Sequence, residues 1–180
     1  MFWNKKEFYF NSSWSKPFIC KIKDGKEDRL VHESTQKSFK QAARFLNLEN
    51  VPNDKLGVYL FRDMSDKDNE YVGETHGQSI RKRLANHVNG GDSGSKCLER
   101  GRYYLVRWAV SETPQLSEGL IMIYFRPKCN DRDDWETMLN KNNTRDMYTE
   151  AARLGLCAPQ SYETFILHYM FFTQKVISSR

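Results

Sequence analysis

The sequence predicts an α+β fold in which a small three-stranded antiparallel sheet is flanked by helices, with extensions at both ends of the chain. Three runs rich in β-branched and aromatic residues, at 56–62, 70–75 and 103–110, are typical of strands. Helical periodicity between and after these runs predicts the flanking layers. The chain has 180 residues, of which 39% are hydrophobic and 13% aromatic, so it is long enough to bury a core as one domain.

The segment 1–54 is interpreted as an N-terminal extension that holds a hairpin and a helix. Residues 18–32 first alternate and then break at an Asp-Gly pair, which indicates a hairpin. Residues 35–48 place apolar side chains at helical spacing, which indicates an amphipathic helix. A breaker at 50–54 predicts that the main domain begins after it.

The segment 55–131 is predicted to be the core. The strands at 56–62 and 70–75 are separated by a short polar turn, which predicts a second hairpin. Residues 78–89 then carry apolar side chains on one helical face, which predicts a basic amphipathic helix. A Gly- and Ser-rich segment leads from this helix into the third strand, at 103–110.

Three further helices are predicted. A Thr-Pro pair at 113–114 is typical of a helix start, and the apolar run that follows predicts a buried helix. The other two, at about 144–154 and 161–176, belong to a C-terminal helical extension at 132–180 that is expected to pack on the core. Gly155 is the expected stop of the first of them.

The composition favours one class of partner and argues against several kinds of site. A formal net charge of +5 and a sequence pI of about 9.0 favour a polyanionic partner. The four cysteines include no C-x-x-C pair and no cluster with zinc spacing. The N-terminus lacks the apolar run of a signal peptide, and there is no apolar run of about 18 residues, so we expect a cytoplasmic protein without a membrane partner.

Six positions carry polar or ionisable side chains and lie, in order, on two strands, two helices and a turn. They are Tyr59, Tyr71, Arg83, His87, Glu118 and Asn130. Each has an ordinary structural alternative when it is taken alone: a packed strand aromatic, a solvated arginine, a surface histidine or a turn asparagine. The acid within the apolar helix is the sharpest of the six, because a buried carboxylate is costly unless it is paired or binds a metal.

The motifs around these positions resemble those of the GIY-YIG nuclease superfamily. GVY at 57–59, eleven residues and then YVG at 71–73 are similar to its paired signature, with valine in place of isoleucine in both triplets. IRKRLANH at 80–87 resembles the family's basic helix. SEGLIMIYFRPKCN at 117–130 resembles its later helix with a glutamate, followed by an asparagine. The spacing is most like that of the restriction-endonuclease branch.

This resemblance implies a metal-dependent DNA endonuclease, most like a site-specific type II restriction enzyme. Glu118 would bind Mg²⁺, with Mn²⁺ as an expected substitute. Tyr59 would act as a general base in its phenolate form, with His87 either taking the proton onward or serving as the base itself. Because a free tyrosine has a pKa near 10, a nearby cation would have to lower that pKa, and Arg83 or the metal is the expected cation.

The remaining assignments concern substrate contacts and partners. Arg83 would hold a phosphate through two parallel N–H bonds. Tyr71 would bond a phosphate or orient the neighbouring tyrosine, and Asn130 would anchor the pocket or the substrate. Further DNA contacts are expected at Lys82, Lys96, Arg100 and Arg102, and the N-terminal extension at 1–54 is also a candidate DNA contact. The expected partners are double-stranded DNA and a second copy of the chain as a homodimer, with no small-molecule cofactor.

Other functions fit parts of the pattern. The core motif is also compatible with a homing nuclease or with a structure-specific nuclease of repair or recombination. A catalytically silent DNA-binding module that keeps the fold is an alternative from another class, although all six positions are filled. A basic scaffold protein that binds RNA or acidic partners is a third, in which the six positions would coincide by chance.

Overall fold

The structure, a computed structural model, describes residues 11–23, 44–66, 70–90, 98–125, 127, 129–130 and 143–156. Within these residues it has five strands and three helices of four residues or more, together with a short 3₁₀ turn at Leu48–Asn50. The strands are β1 (Phe18–Lys21), β2 (Arg44–Phe45), β3 (Gly57–Asp63), β4 (Glu70–Glu74) and β5 (Tyr103–Val110). The helices are α1 (Ile80–Val88), α2 (Pro114–Phe125) and α3 (Thr144–Arg153).

The fold is α+β, with one mixed sheet of five strands in the order β2-β1-β5-β3-β4. The predicted antiparallel sheet of three strands is present as β5-β3-β4, but it is only part of the whole sheet. β1 extends it by antiparallel pairing with β5, and β2 joins β1 in parallel. The local pattern identified β1 as a strand but carried no information about its partner, which lies more than eighty residues later in the chain.

The predicted helix at 35–48 is wrong over its described part. Residues 44–45 form strand β2, and the Leu46 amide donates to the Ile19 carbonyl at 2.7 Å. Sheet pairing has thus overridden the helical spacing of the apolar side chains, as tertiary contacts often do. The rest of that segment, and the second arm of the hairpin predicted at 18–32, lie outside the described residues.

Alternation along β3 divides the core into two layers. Val58 and Leu60 join the apolar cluster that α2 and α3 cover, whereas Tyr59 and Phe61 join the cluster on the opposite face, which α1 covers. All four side chains are at most 3% exposed. The central strand therefore presents its two aromatic residues to the basic helix.

Helix α2 begins at Pro114, as predicted, and its side chains from Leu116 to Met122 are buried. Helix α3 ends as predicted at a glycine. Gly155 has a φ of 76°, and the amides of Gly155 and Leu156 donate to the carbonyls of Ala152 and Ala151 in a Schellman arrangement. The helix predicted at 161–176 lies outside the described residues.

A buried polar network ties α3 to α2. The Glu150 carboxylate accepts hydrogen bonds from Ser111, from Ser117 and from the guanidinium of Arg153. Burial alone would raise the pKa of Glu150, but the bonds from Arg153 and Ser117 hold it below its ordinary value. The described part of the C-terminal extension is therefore attached to the core by satisfied polar contacts as well as by apolar packing.

In the part of the chain that the structure describes, none of the helices has the length and apolar character that crossing a bilayer requires.

Candidate active site

The centre of the site is a hydrogen bond between the central strand and α1. Tyr59 lies in β3 between β4 and β5, and its hydroxyl is 2.7 Å from Nε2 of His87 in the last turn of α1. Ile80, Leu84 and His87 are the three buried residues of this helix, and their spacing places them on one stripe. Packing of the two apolar residues on the sheet thus carries the imidazole to the phenol.

Arg83 approaches the same hydroxyl from one turn earlier in α1. Its Nε donates to the Tyr59 oxygen at 3.2 Å. Arg83 is half-buried, whereas Tyr59 and His87 are 0% and 2% exposed. Because residues four apart share a helix face, the arginine and the histidine reach one oxygen together. The Arg83 guanidinium is the part of this trio that a phosphate would meet first.

Tyr71 brings a second phenol to this cluster. It lies in β4 opposite Phe61, on the same face of the sheet as Tyr59, and the two tyrosine rings are 6.3 Å apart. The hairpin predicted that the tyrosines would be neighbours, and their separation confirms it. Tyr71 is half-buried, so it and Arg83 form the more accessible side of the cluster.

The two glycines of the triplets have different neighbours. A Cβ on Gly57 would lie 2.1 Å from the Ala109 carbonyl oxygen, so this glycine allows the backbone of β5 to approach closely. Gly73 pairs with Tyr59 across the hairpin, and a Cβ there would lie 2.4 Å from the Tyr59 hydroxyl oxygen. Gly73 therefore makes room for the buried phenol.

Burial outweighs the effect of the neighbouring Arg83 on the pKa of Tyr59. Burial raises the pKa of Tyr59, and the phenol of Tyr71 raises it further, whereas Arg83 lowers it by less. The net effect is a raised pKa, because a phenolate loses more by leaving water than it gains from one guanidinium. The protein alone therefore holds Tyr59 as a neutral phenol, suited to passing a proton between partners.

Asn130 covers the free edge of the sheet. Its Oδ1 accepts from the Val72 amide at 2.9 Å, and its Nδ2 donates to the Val72 carbonyl at 2.6 Å. Among the described strands β4 lies at the edge of the sheet, so no described strand pairs with these backbone groups on that side. Asn130 thus anchors the strand that carries Tyr71 and Gly73, and its expected role in a pocket or at a substrate stays a prediction.

Glu118 belongs to a different element from the residues of the tyrosine cluster. It is 3% exposed and belongs to α2, which packs against the Val58 and Leu60 face of the sheet. Tyr59 and α1 occupy the other face. The structure therefore brings Tyr59, Tyr71, Arg83 and His87 together, and it places Glu118 in α2, which packs on the other face of the sheet. That helix packs on β4, the strand that carries Tyr71 on its other face.

Glu118 supplies one carboxylate as a candidate metal ligand. Among the described residues no group of three or more histidine, cysteine, aspartate or glutamate side chains lies close enough to hold a metal. Mg²⁺ is commonly held by one or two carboxylates, with waters and substrate phosphates as the other ligands. Glu118 is the acidic residue of α2, and it supplies such a carboxylate.

The predicted DNA contacts have unequal surroundings. Lys82 is exposed on α1 beside Arg83, and Arg100 is exposed with one N–H bonded to the Gly90 carbonyl at 3.2 Å. Arg102 is held by two carboxylates, Asp63 at 3.0 Å and Glu99 at 2.7 Å, so a phosphate would have to compete with them. Lys96 lies outside the described residues.

The neighbouring Arg81 serves as a structural contrast to Arg83. Its guanidinium donates to the carbonyls of Val51 and Glu49, each at 2.8 Å. It therefore fixes the segment before β3 onto α1. The two arginines have the same charge, but Arg81 donates hydrogen bonds to the backbone whereas Arg83 donates one to the Tyr59 hydroxyl.

Sequence reasoning missed Phe61, which contacts the rings of Tyr59, Tyr71 and His87. The signal was present, because a residue two positions after Tyr59 in a strand lies on the same face. The case for a function depends on this geometry and on the motifs that supply its residues. Comparison of the chain with models of protein families, with curated proteins and with solved structures returned no match.

Proposed function

We propose that the protein is a metal-dependent DNA endonuclease that hydrolyses phosphodiester bonds, and that it is a site-specific restriction enzyme. The proposal rests on the likeness of its motifs to the GIY-YIG nucleases and on the clustering of four motif residues in space. Double-stranded DNA is the substrate in this proposal, and a homodimer would cut both strands of a symmetric site. Homing and structure-specific nucleases are the alternatives within the same chemistry.

The observation that carries the proposal is the position of the Tyr59 hydroxyl between His87 Nε2 and Arg83 Nε. A phenol that is hydrogen-bonded to an imidazole and to a guanidinium has both a proton acceptor and a positive charge beside it. Those are the groups that activation of a water and stabilisation of a charged transition state require. A tyrosine that only packed in the core would require neither the proton acceptor nor the positive charge.

The proposed reaction moves one proton along this cluster. The attacking water forms the new bond to phosphorus and gives its proton to the Tyr59 oxygen, while the phenolic proton passes to His87 Nε2. This requires the neutral imidazole tautomer with its proton on Nδ1. The bond from phosphorus to the 3′ oxygen breaks, and Arg83 stabilises the negative charge that gathers on the phosphate oxygens.

Two other residues complete the proposed site. Glu118 would hold Mg²⁺, which when bound supplies a Lewis acid for the phosphate and the leaving oxygen. Asn130 keeps β4 in register through Val72, so it acts on Tyr71 and Gly73 by position. Because Tyr59 is buried, we expect DNA binding to draw Arg83 toward the phosphate and to open the phenol to the attacking water.

Plasmid digestion with magnesium, followed by sequencing of the ends, tests the proposal. Arg83→Ala and Glu118→Gln should each abolish cleavage and leave DNA binding largely intact, because they remove transition-state and metal contacts. Arg81→Ala is the matched control, since it removes the same charge from the same helix. It should lower stability but preserve cleavage, and retained cleavage in either of the first two variants would contradict the assigned site.

A DNA-binding module without catalysis is the second candidate. The burial of Tyr59 and His87 and the raised pKa of the phenol favour it, because both oppose direct contact with a water. The same digestion separates the two candidates. Binding without any magnesium-dependent nicking supports the silent module, discrete ends support a restriction or homing enzyme, and ends at branches or flaps support a structure-specific one.

A further inference from the structure

Phe61 is a buried residue of the site to which the proposed reaction gives no role. It lies in β3 two residues after Tyr59, on the same face, and is 0% exposed. Its ring centroid is 5.6 Å from that of His87, 5.8 Å from that of Tyr59 and 6.5 Å from that of Tyr71. It thus touches each aromatic group of the cluster and adds no polar atom to it.

The His87 ring is enclosed by three aromatic rings at steep angles. The interplanar angle is 70° with Phe61, 61° with Tyr59 and 73° with Tyr71. Edge-to-face contacts of this kind are favourable and directional. Two of the three rings belong to tyrosines with assigned roles, so Phe61 is the contact that works by packing alone.

The orientation of an imidazole ring determines which atom each ring nitrogen can form a hydrogen bond with. The lone pair and the N–H of a ring nitrogen lie in the plane of the ring, so a short bond from Nε2 to the Tyr59 hydroxyl requires that plane to point at the oxygen. The observed separation is 2.7 Å. A rotation of the ring would lose this bond even if the helix did not move.

We propose that Phe61 is a positioning residue, which holds the His87 imidazole with Nε2 directed at the Tyr59 hydroxyl. The inference rests on the proposed nuclease function, because the transfer of a proton from Tyr59 to His87 is the step that this orientation serves. Phe61 makes no contact with the reacting atoms in this scheme. It acts on the reaction through the angle of another ring.

Phe61→Leu is the test, because it removes the flat ring and keeps an apolar side chain. Proton NMR follows the ring signals of the four histidines, and the signal that disappears in His87→Gln identifies the residue of interest. We expect Phe61→Leu to shift the His87 signal and its titration midpoint. Single-turnover cleavage should fall about 10²-fold with a displaced pH profile and unchanged DNA affinity.

Leu60→Ala is the matched control. Leu60 is the adjacent residue of β3, is 3% exposed and faces the opposite cluster, so its loss weakens the core without touching His87. Under conditions where both variants are folded, Leu60→Ala should retain the His87 signal and the cleavage rate. If Phe61→Leu does not fold, Phe61→Met replaces it, because methionine fills irregular space with a flexible apolar chain.

The outcomes separate this inference from the proposed function. A folded Phe61→Leu protein with an unchanged His87 signal and an unchanged pH profile overturns the positioning role. An equal loss of cleavage in Leu60→Ala overturns it as well, since general weakening would then explain the effect. A wild-type protein that cleaves no DNA contradicts the nuclease function, and the His87 signal of the variants still decides whether Phe61 orients the ring.

Discussion

At the scale of single residues, the site depends on how much space surrounds one phenol. Tyr59 is fully buried, and its hydroxyl is bonded by two side chains of α1 on one side. On the neighbouring strand, Gly73 lacks the Cβ that would lie 2.4 Å from that hydroxyl oxygen. Tyr59 of the first triplet and Gly73 of the second are therefore sterically coupled, because the glycine leaves the space that the buried phenol fills.

Gly73→Ala tests this steric coupling. The new methyl group would overlap the Tyr59 hydroxyl, so the phenol should leave His87 and Arg83, and cleavage should fall about 10²-fold. Stability should fall by about 1–3 kcal/mol, as overpacking usually costs. Cleavage rate and urea unfolding are the measurements.

Gly77→Ala is the control for the glycine substitution. An added Cβ there meets nothing within 4 Å, but the φ of 75° is costly for alanine. It should lower stability by roughly 1 kcal/mol and preserve cleavage. Full activity in Gly73→Ala would contradict the steric pairing of the two triplets.

The raised pKa of Tyr59 gives an expectation for alkaline stability. A tyrosine that titrates near 10 in the unfolded chain and higher in the folded protein stabilises the fold below pH 10, and that stability is lost as the pH rises further. The loss is about 1.4 kcal/mol per pH unit for one such group. Tyr59→Phe should therefore show a smaller fall in unfolding free energy between pH 9 and pH 11 than the wild type. Equal falls would contradict the burial argument.

At the scale of elements, β4 is the strand whose position needs the most support. It is an edge strand of five residues, and it carries both Tyr71 and Gly73. Asn130 replaces a missing neighbour strand by bonding both backbone groups of Val72. The asparagine that follows α2 in sequence thus acts on the hairpin that precedes α1.

Asn130→Ala should release the edge of β4. Val72 is 0% exposed, so its unpaired amide and carbonyl should cost about 1–3 kcal/mol of unfolding free energy. Asn130→Asp keeps the acceptor for the Val72 amide and loses the donor to its carbonyl, so its stability should be intermediate at a pH where the wild type is stable. Urea unfolding measures both, and a neutral effect of Asn130→Ala would show that the edge needs no cover.

At the scale of the whole molecule, net charge and the exposed basic residues set the expected mode of DNA binding. The chain has a net charge of +5, and Lys82 is exposed on the helix that also carries Arg83. Phosphate contacts release counterions, so affinity should fall steeply as salt rises. A protein with a different partner would show a flat response.

Fluorescence anisotropy with duplex DNA over a range of salt concentrations measures that slope. Lys82→Ala should reduce the slope of log affinity against log salt by about one, which is the effect of one lost phosphate contact. Arg145→Ala is the control, because Arg145 is exposed on α3, which packs on the other face of the sheet. If the two substitutions changed this slope equally, the result would give no evidence for a DNA contact on α1.

The sequence by itself determined the features that depend on the residues of a single strand, helix or turn. Runs of β-branched and aromatic residues predicted β3, β4 and β5, and helical spacing predicted α1. The proline at the start of α2 and the glycine after α3 marked helix ends correctly, because their effects on the backbone are local. The closeness of Tyr59 and Tyr71 also followed, since a short turn fixes the pairing of a hairpin.

Only the tertiary structure decided the features that depend on residues distant in the chain. It placed β1 and β2 in the same sheet, put Glu118 on the helix across that sheet from Tyr59, and brought Phe61 against His87. It also raised the pKa of Tyr59 although Arg83 lies beside the hydroxyl, because burial depends on everything packed around a group. No local period encodes such contacts, since they arise when separate elements exclude water together.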